Sequence, residues 1–508
     1  MSAILQSDTA KLLTRRRAVT FACMMAIFMS AVEATIVATA MPTIVGQLGA
    51  FHLFSWVFAA YLLAQAVSTP IYGRLADLYG RKQMFISGSA IFLLASTACG
   101  FTWAFGEWGM VSLVLFRTIQ GFGAGSLQSM ATTIVGDIYP PTDRARVQGW
   151  LSGVWGLAAL AGPVLGAFIV QHVHWAFVFW INLPIGIAAI LIMASSLYER
   201  IELRSHHVDV AGSILLMLGV GGVLMTVVQA QNLSAPLAAS LFGVGIVALL
   251  LLIVQERRAK EPIVPFQLWR QRIMAECSAG GLTIGALLMC VVAFLPTYVQ
   301  AAMGRSVTFG GTALAIQSVS WSISAIIAAR LMGLTSYRTA GLIGSAMLIS
   351  GTALLITLDR DSAFMRLGAA TLLVGFGMGF CNQTFLLSMQ GSVHWNQRGV
   401  ATASFLFART IGQTIGAAIG GAMLNFGLTR QVPGASDALE RLLDPGRRDE
   451  LGANMVARLG SAIAGALHEV YIVSGLLAVA TLVIVLLLPA RLSYAPQASD
   501  QSGTKAGK

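Results

Sequence analysis

Residues 18–40 read AVTFACMMAIFMSAVEATIVATA, and Glu33 is the one charge among them. The run exceeds the roughly 18 apolar residues that a helix needs to cross the hydrocarbon core of a bilayer. A carboxylate in the middle of such a helix is costly unless it is paired, hydrated or protonated, so Glu33 marks a functional site by default. The plainer reading is a polar packing group with a structural partner. Arg15, Arg16 and Arg17 precede the run and Ala38-Thr39-Ala40 closes it, as in a secretory signal with its cleavage site. The run is too long for that and further apolar runs follow. A retained first span is therefore expected, with residues 1–17 as a cytoplasmic tail.

Composition agrees with a membrane protein. Of 508 residues 56% are hydrophobic and 10% charged, against roughly 25% charged in soluble domains. The net charge of +11 could suggest nucleic acid, but Lys and Arg fall between apolar runs and not in one basic domain, so no nucleic-acid partner is expected. Cys23, Cys99, Cys277, Cys290 and Cys381 lie singly in apolar segments, which favours packing over metal or disulfide chemistry. With no nucleophile triad, phosphate loop or metal cluster, neither an enzyme nor a cofactor is expected.

About fourteen apolar runs can be counted, ending with one near 468–489. An even count puts both termini on one side. Placing them in the cytoplasm assigns most basic clusters to that side, among them Arg74 with Arg81 and Lys82, and Arg257 with Arg258. The expected architecture is an all-α integral membrane fold. It has a six-helix bundle over 18–200, two inserted helices over 201–260, a second six-helix bundle over 261–490, and a cytoplasmic tail over 491–508. The outer loop 425–464 could hold a surface helix around Leu442, Leu443 and Leu451. Gly149, Gly162 and Gly166 of the fifth run align with Gly399, Gly412 and Gly416 of the thirteenth, the kind of internal repeat found in secondary transporters.

The loop Gly73-Arg74-Leu75-Ala76-Asp77-Leu78-Tyr79-Gly80-Arg81-Lys82 resembles the cytoplasmic signature of the major facilitator superfamily. Gly73 and Gly80 would permit a tight connection between helices, while Asp77 could face a helix N-terminus and be held by Arg81. The alternative is a solvated basic turn that only fixes topology. Arg117-Thr118-Ile119-Gln120-Gly121-Phe122-Gly123 resembles the Arg-containing motif of the fourth helix, and Ala161-Gly162-Pro163-Val164-Leu165-Gly166 the antiporter motif of the fifth. Glu33-Ala34-Thr35-Ile36-Val37 with Pro42 resembles the first-helix motif of the fourteen-span drug:proton antiporters of the QacA and EmrB type. The stretches Phe179–Gly186 and Leu295–Gln300 are similar to that branch too. The sequence departs from the pattern in having Glu33 where Asp is commoner, Gly333 in place of the second gate acid, and Gln413 opposite Pro163.

Depth arithmetic bears on the chemistry without the family. At about 1.5 Å per residue, Glu33 and Arg117 each lie about 10–12 Å inside the outer ends of their helices, so they are level and can pair. An opposite charge favours the ionised carboxylate and loss of water disfavours it, so moving Arg117 or water would switch the proton affinity of Glu33. A purely structural ion pair is the alternative. The resemblance implies Glu33 as proton and cation site, Arg117 as its modulator, Gly73, Asp77, Gly80 and Arg81 as cytoplasmic gate, and Gly162-Pro163-Gly166 as a bend. Gln65, Gln120, Trp155, Gln317, Asn382, Gln383 and Arg409 could line the cavity.

The function expected is proton-coupled efflux of hydrophobic, cationic drugs from the plasma membrane, the inner one in a bacterium, by alternating access. The partners are small hydrophobic cargo, protons and the lipid bilayer, with a monomeric state or accessory export proteins left open. An antiporter for one metabolite, siderophore or lipid is the alternative, and a non-transporting receptor or scaffold a remoter one.

Overall fold

The computed structural model describes residues 2–139, 141–199, 209–228, 233–259, 270–393, 398–432, 436–444 and 447–489. Within these ranges some side chains, including those of Arg74 and Asp77, lie outside the description. The described residues form helices and connecting turns, with no strand. That follows from burial in lipid, where a helix satisfies every backbone N–H and C=O within one segment.

The first half comprises α1 (Ser2–Leu48), α2 (Trp56–Tyr79), α3 (Arg81–Gly100), α4 (Gly109–Ile138), α5 (Pro141–His172) and α6 (Asn182–Ser196). Then come α7 (Val210–Val228) and α8 (Ala235–Arg258). The second half holds α9 (Arg272–Val292), α10 (Val307–Leu334), α11 (Tyr337–Ile356), α12 (Phe364–Gly391), α13 (Arg398–Gln431) and α14 (Ala453–Leu487). Among the described residues thirteen helices are long and apolar enough to cross a membrane. The 34-residue α13 packs beside them, against α9, α2 and α14.

Small residues set the helix crossings, because helices surrounded by lipid associate through close backbone approach. A Cβ on Gly162 would collide with Thr35, and one on Gly166 would lie 3.1 Å from the Ile36 carbonyl, so α5 rides directly on α1. A Cβ on Gly412 or Gly416 would collide with the Leu282 or Ala286 carbonyl of α9. The sequence repeat thus has a structural counterpart, since Ile36 and Ala286 are themselves separated by 250 positions, as Gly166 and Gly416 are. A second repeat emerges only from the packing. Gly121-Phe122-Gly123-Ala124-Gly125 of α4 and Gly375-Phe376-Gly377-Met378-Gly379 of α12 make matching contacts. Gly121 abuts the Tyr61 carbonyl as Gly375 abuts that of Gln317, and Gly125 meets Ser68 as Gly379 meets Ser324.

The halves meet where α5 packs on α10 and α2 on α13. A Cβ on Gly311 of α10 would lie 2.8 Å from the Pro163 carbonyl. The inserted pair α7 and α8 is held together by Asp209, whose Oδ1 accepts from Gly212 N–H at 2.8 Å and Gln255 Nε2 at 3.0 Å. It leans on the α2/α13 seam, where Leu216 and Leu252 join Leu63, Val67, Phe407 and Ile411.

Two segments outside the bundles are helical. The helix of the first span runs back to Ser2 through the expected tail. The expected loop 425–464 is mostly helical: α13 reaches Gln431, α14 starts at Ala453, and Ser436–Leu443 forms a short helix between them. Its Leu439, Leu442 and Leu443 are buried, and the backbone at Asp444 lies against Gly46 of α1. These leucines recur on one helical face, and burying them outweighs leaving the segment open.

Candidate functional site

Glu33 and Arg117 are 0% and 1% exposed at the side chain, and Arg117 Nη1 donates to Glu33 Oε1 at 2.5 Å. The depth arithmetic therefore holds: α1 and α4 bring the two charges to one level. An ion pair in a medium of low dielectric is stable only if its remaining donors and acceptors are also met. Here they are. Arg117 Nε donates to the Val57 carbonyl at 3.2 Å, Nη1 also to Gln120 Oε1 at 2.8 Å, and the guanidinium carbon sits 4.0 Å from the centroid of the Tyr61 ring.

The second carboxylate oxygen is met by a residue with no assigned role in the sequence reading. Asn182 Nδ2 donates to Glu33 Oε2 at 2.7 Å and also to Ser96 Oγ at 3.1 Å. Ser96 accepts from Gln120 Nε2 at 3.1 Å and donates to the Phe179 carbonyl at 2.8 Å. Gln120, expected on a cavity wall, thus lies inside this closed network. Both oxygens of Glu33 are occupied by protein donors and its surface is covered, so no cargo touches it in this arrangement. A proton on Glu33 would cancel the charge that holds Arg117 and Asn182 in place.

Asn182→Ala leaves Glu33 Oε2 buried without its donor, which costs about 1–3 kcal/mol. Thermal unfolding in detergent is expected to show that loss, and an unchanged melting temperature would mean that water replaces the amide.

At the other end of α2, Gly80 has φ 89° and ψ 149°, a region open essentially to glycine, and it starts α3. Gly73 differs from expectation: it lies inside α2, and a Cβ there would meet nothing within 4 Å, so Gly80 alone makes the turn. The Asp77 side chain lies outside the described residues. Among the described residues Arg81 pairs with Asp137 at 3.2 Å and Glu199 at 3.5 Å. Glu199 also accepts from the Arg81 and Lys82 backbone N–H groups, both at 3.0 Å, placing a carboxylate at the positive end of α3. Asp137 and Glu199 escape sequence reasoning because each stands alone at a helix end, without a motif. Pro163 sits within the unbroken α5, flanked by the α1 and α10 contacts of Gly162 and its own carbonyl.

Of the remaining cavity candidates, Arg409 Nη1 and Asn382 Oδ1 come together at 3.2 Å. Gln317 is 2% exposed and neither amide atom has a hydrogen-bond partner. Gln65, Trp155 and Gln383 are half-buried on α2, α5 and α12.

Comparison with known proteins identifies the family and the fold. The chain is 33% identical over 403 residues to "Multidrug transporter protein MdtP" of Bacillus subtilis (strain 168), covering 79% of this chain and 74% of that one. It is 32% identical over 432 residues to "Multidrug resistance protein 3" of the same organism, covering 84% and 83%. Among solved structures, a bacterial homologue of the human lysosomal transporter Spinster aligns with a TM-score of 0.66 at 16% identity, covering 93% of this chain and 96% of that one. The sequence pattern of the Major Facilitator Superfamily matches residues 23–417. With that match spanning most of both halves, the chain belongs to the Major Facilitator Superfamily.

Proposed function

We propose that this protein is a fourteen-span, proton-coupled exporter of hydrophobic compounds, of the drug:proton antiporter branch, working by alternating access in the plasma membrane. The observation that carries the reading is the sealed Glu33–Arg117 pair, held by Asn182, Gln120 and Ser96 in the middle of the first half. A carboxylate whose charge organises four helices couples its protonation to their arrangement. Inward proton flow would supply about 2.3 kcal/mol per charge per 100 mV. The multidrug relatives support hydrophobic cargo. In this reading the Gly80 end is cytoplasmic, Arg81 with Asp77 forms its gate, and Gly162-Pro163-Gly166 is the bend. A cationic cargo was expected on the premise that Glu33 faces the cavity, and in the structure its partners close it off.

The test is transport in proteoliposomes with an imposed pH gradient. A hydrophobic dye should move against the proton flow, and a protonophore should stop it. Dye movement indifferent to the gradient would refute the coupling.

A further inference from the structure

Glu33 and Arg117 stand well inside two membrane-length helices, and Arg409 stands well inside α13. The first two cancel in their covered nest. Among the described residues Arg409 has no carboxylate partner; its one bond is to the neutral Asn382, and its Nε, although buried, has no acceptor. Arg409 lies eleven residues into α13, about 16 Å from its start. A guanidinium keeps its charge, and a lone one against lipid tails at that depth is expensive.

Arg409 sits on the face of α13 that turns to α9 and α12. Its backbone carbonyl is backed by Gly285 of α9, while Phe407 and Ile411, on the opposite face of the helix, turn to the α2 seam. The side chain reaches toward α12 and remains half-buried, with accessible surface left. The fold does not require it: the repeat places Ala159 of α5 at the equivalent position of the first half. Gln317 of α10, buried with both amide atoms unpartnered, adds neutral hydrogen-bonding capacity to the same half.

We propose that Arg409 with Asn382 is the cargo-binding site and that the cargo is an amphipathic organic anion, an apolar skeleton bearing a carboxylate or similar acid. This rests on the export reading above and specifies its substrate. A guanidinium offers paired N–H donors matched to a carboxylate, and it repels a lipophilic cation. Among the described residues no acid pairs with Arg409 to receive such a cation, and Glu33 is already paired with Arg117. Exchanging an anion outward for a proton inward also moves both charges in the direction that an inside-negative potential favours.

The test compares naphthalene-2-carboxylate with naphthalen-2-ylmethylammonium, one ring with opposite charges. Binding is measured by equilibrium dialysis to the full chain in phosphatidylcholine nanodiscs, with empty nanodiscs subtracted and no pH gradient. The native protein should bind the carboxylate at least tenfold more tightly. Arg409→Gln should bring the two affinities within about twofold by weakening the carboxylate alone, and Arg409→Lys should keep most of the preference. If Arg409→Gln does not fold, Asn382→Asp neutralises the guanidinium in place and should erase the preference equally. Equal or absent binding of both probes by native protein, tighter binding of the amine, or a preference that survives removal of the guanidinium's charge would overturn the proposal. Carboxylate binding without gradient-driven transport sinks only the coupling, whereas gradient-driven export with no carboxylate preference sinks only this assignment.

Discussion

Glu33→Gln should abolish gradient-driven transport in proteoliposomes and lower thermal stability together, because the substitution removes the titratable group and leaves Arg117 buried without a counter-charge. The groups still facing Arg117 would be the Val57 carbonyl, the Gln120 amide oxygen and the Tyr61 ring, all neutral. Breaking one side of a buried pair costs about 3–5 kcal/mol. Replacing both charges removes that penalty, so Glu33→Gln/Arg117→Gln should regain most of the stability while gradient-driven transport stays at zero. Exchange of cargo down its own gradient, followed in the same vesicles, then reports whether alternation persists without the proton step. Gradient-driven transport by either variant would show that the proton travels elsewhere. Stability lost equally in the single and double variants would show that the pair's charges are not what the nest balances.

The legible part of this site was its axis. Glu33 and Arg117 are rare charges in apolar runs, and helix rise alone puts them level. The donors that complete the nest were not legible, for a reason visible in neighbouring residues. Small polar residues in spans commonly bond to their own helix, as Thr97 does to the Leu93 carbonyl and Thr118 to that of Val114. Nothing in sequence separates them from Ser96, which turns to another helix instead. Asn182 stood inside a stretch that marked the family but carried no separate clue, because its role depends on how α6 is rotated against α1. The glycines divide likewise. Gly80 and Gly73 look equivalent in the loop motif, yet only the backbone angles show that Gly80 makes the turn. A helix around Leu442 and Leu443 was legible, but not its burial, because the charges among its leucines read as a surface face.

Gly421→Val should drive the protein open at the end where α1 meets α2. That end is closed in the structure by contacts between halves: Phe54 and Phe294 have ring centroids 5.4 Å apart, and Gly421 of α13 lies so close to Ser55 that a Cβ would collide with it. A Cβ on Gly46 of α1 would likewise lie 2.5 Å from the Asp444 backbone nitrogen. Overpacking of this kind costs about 1–3 kcal/mol, but only in the arrangement where the two surfaces touch. Once the halves part at this end, the valine is unopposed, so the penalty acts on one member of the conformational equilibrium and shifts its population about fivefold or more. Ser55 is 1% exposed, which makes Ser55→Cys a reporter for that shift. A membrane-impermeant maleimide should label the introduced thiol about fivefold faster or more when Gly421→Val is present, turnover should fall by a similar factor, and cargo binding should survive. A lower melting temperature with lost binding would mean that the valine unfolds the seam. Unchanged labelling with native turnover would mean that this contact yields without separating, and that the two halves move about some other line. The prediction is sharp because the collision is with an immediate neighbour across the seam: a rigid-body opening relieves it, whereas a rearrangement confined to one half leaves it in place.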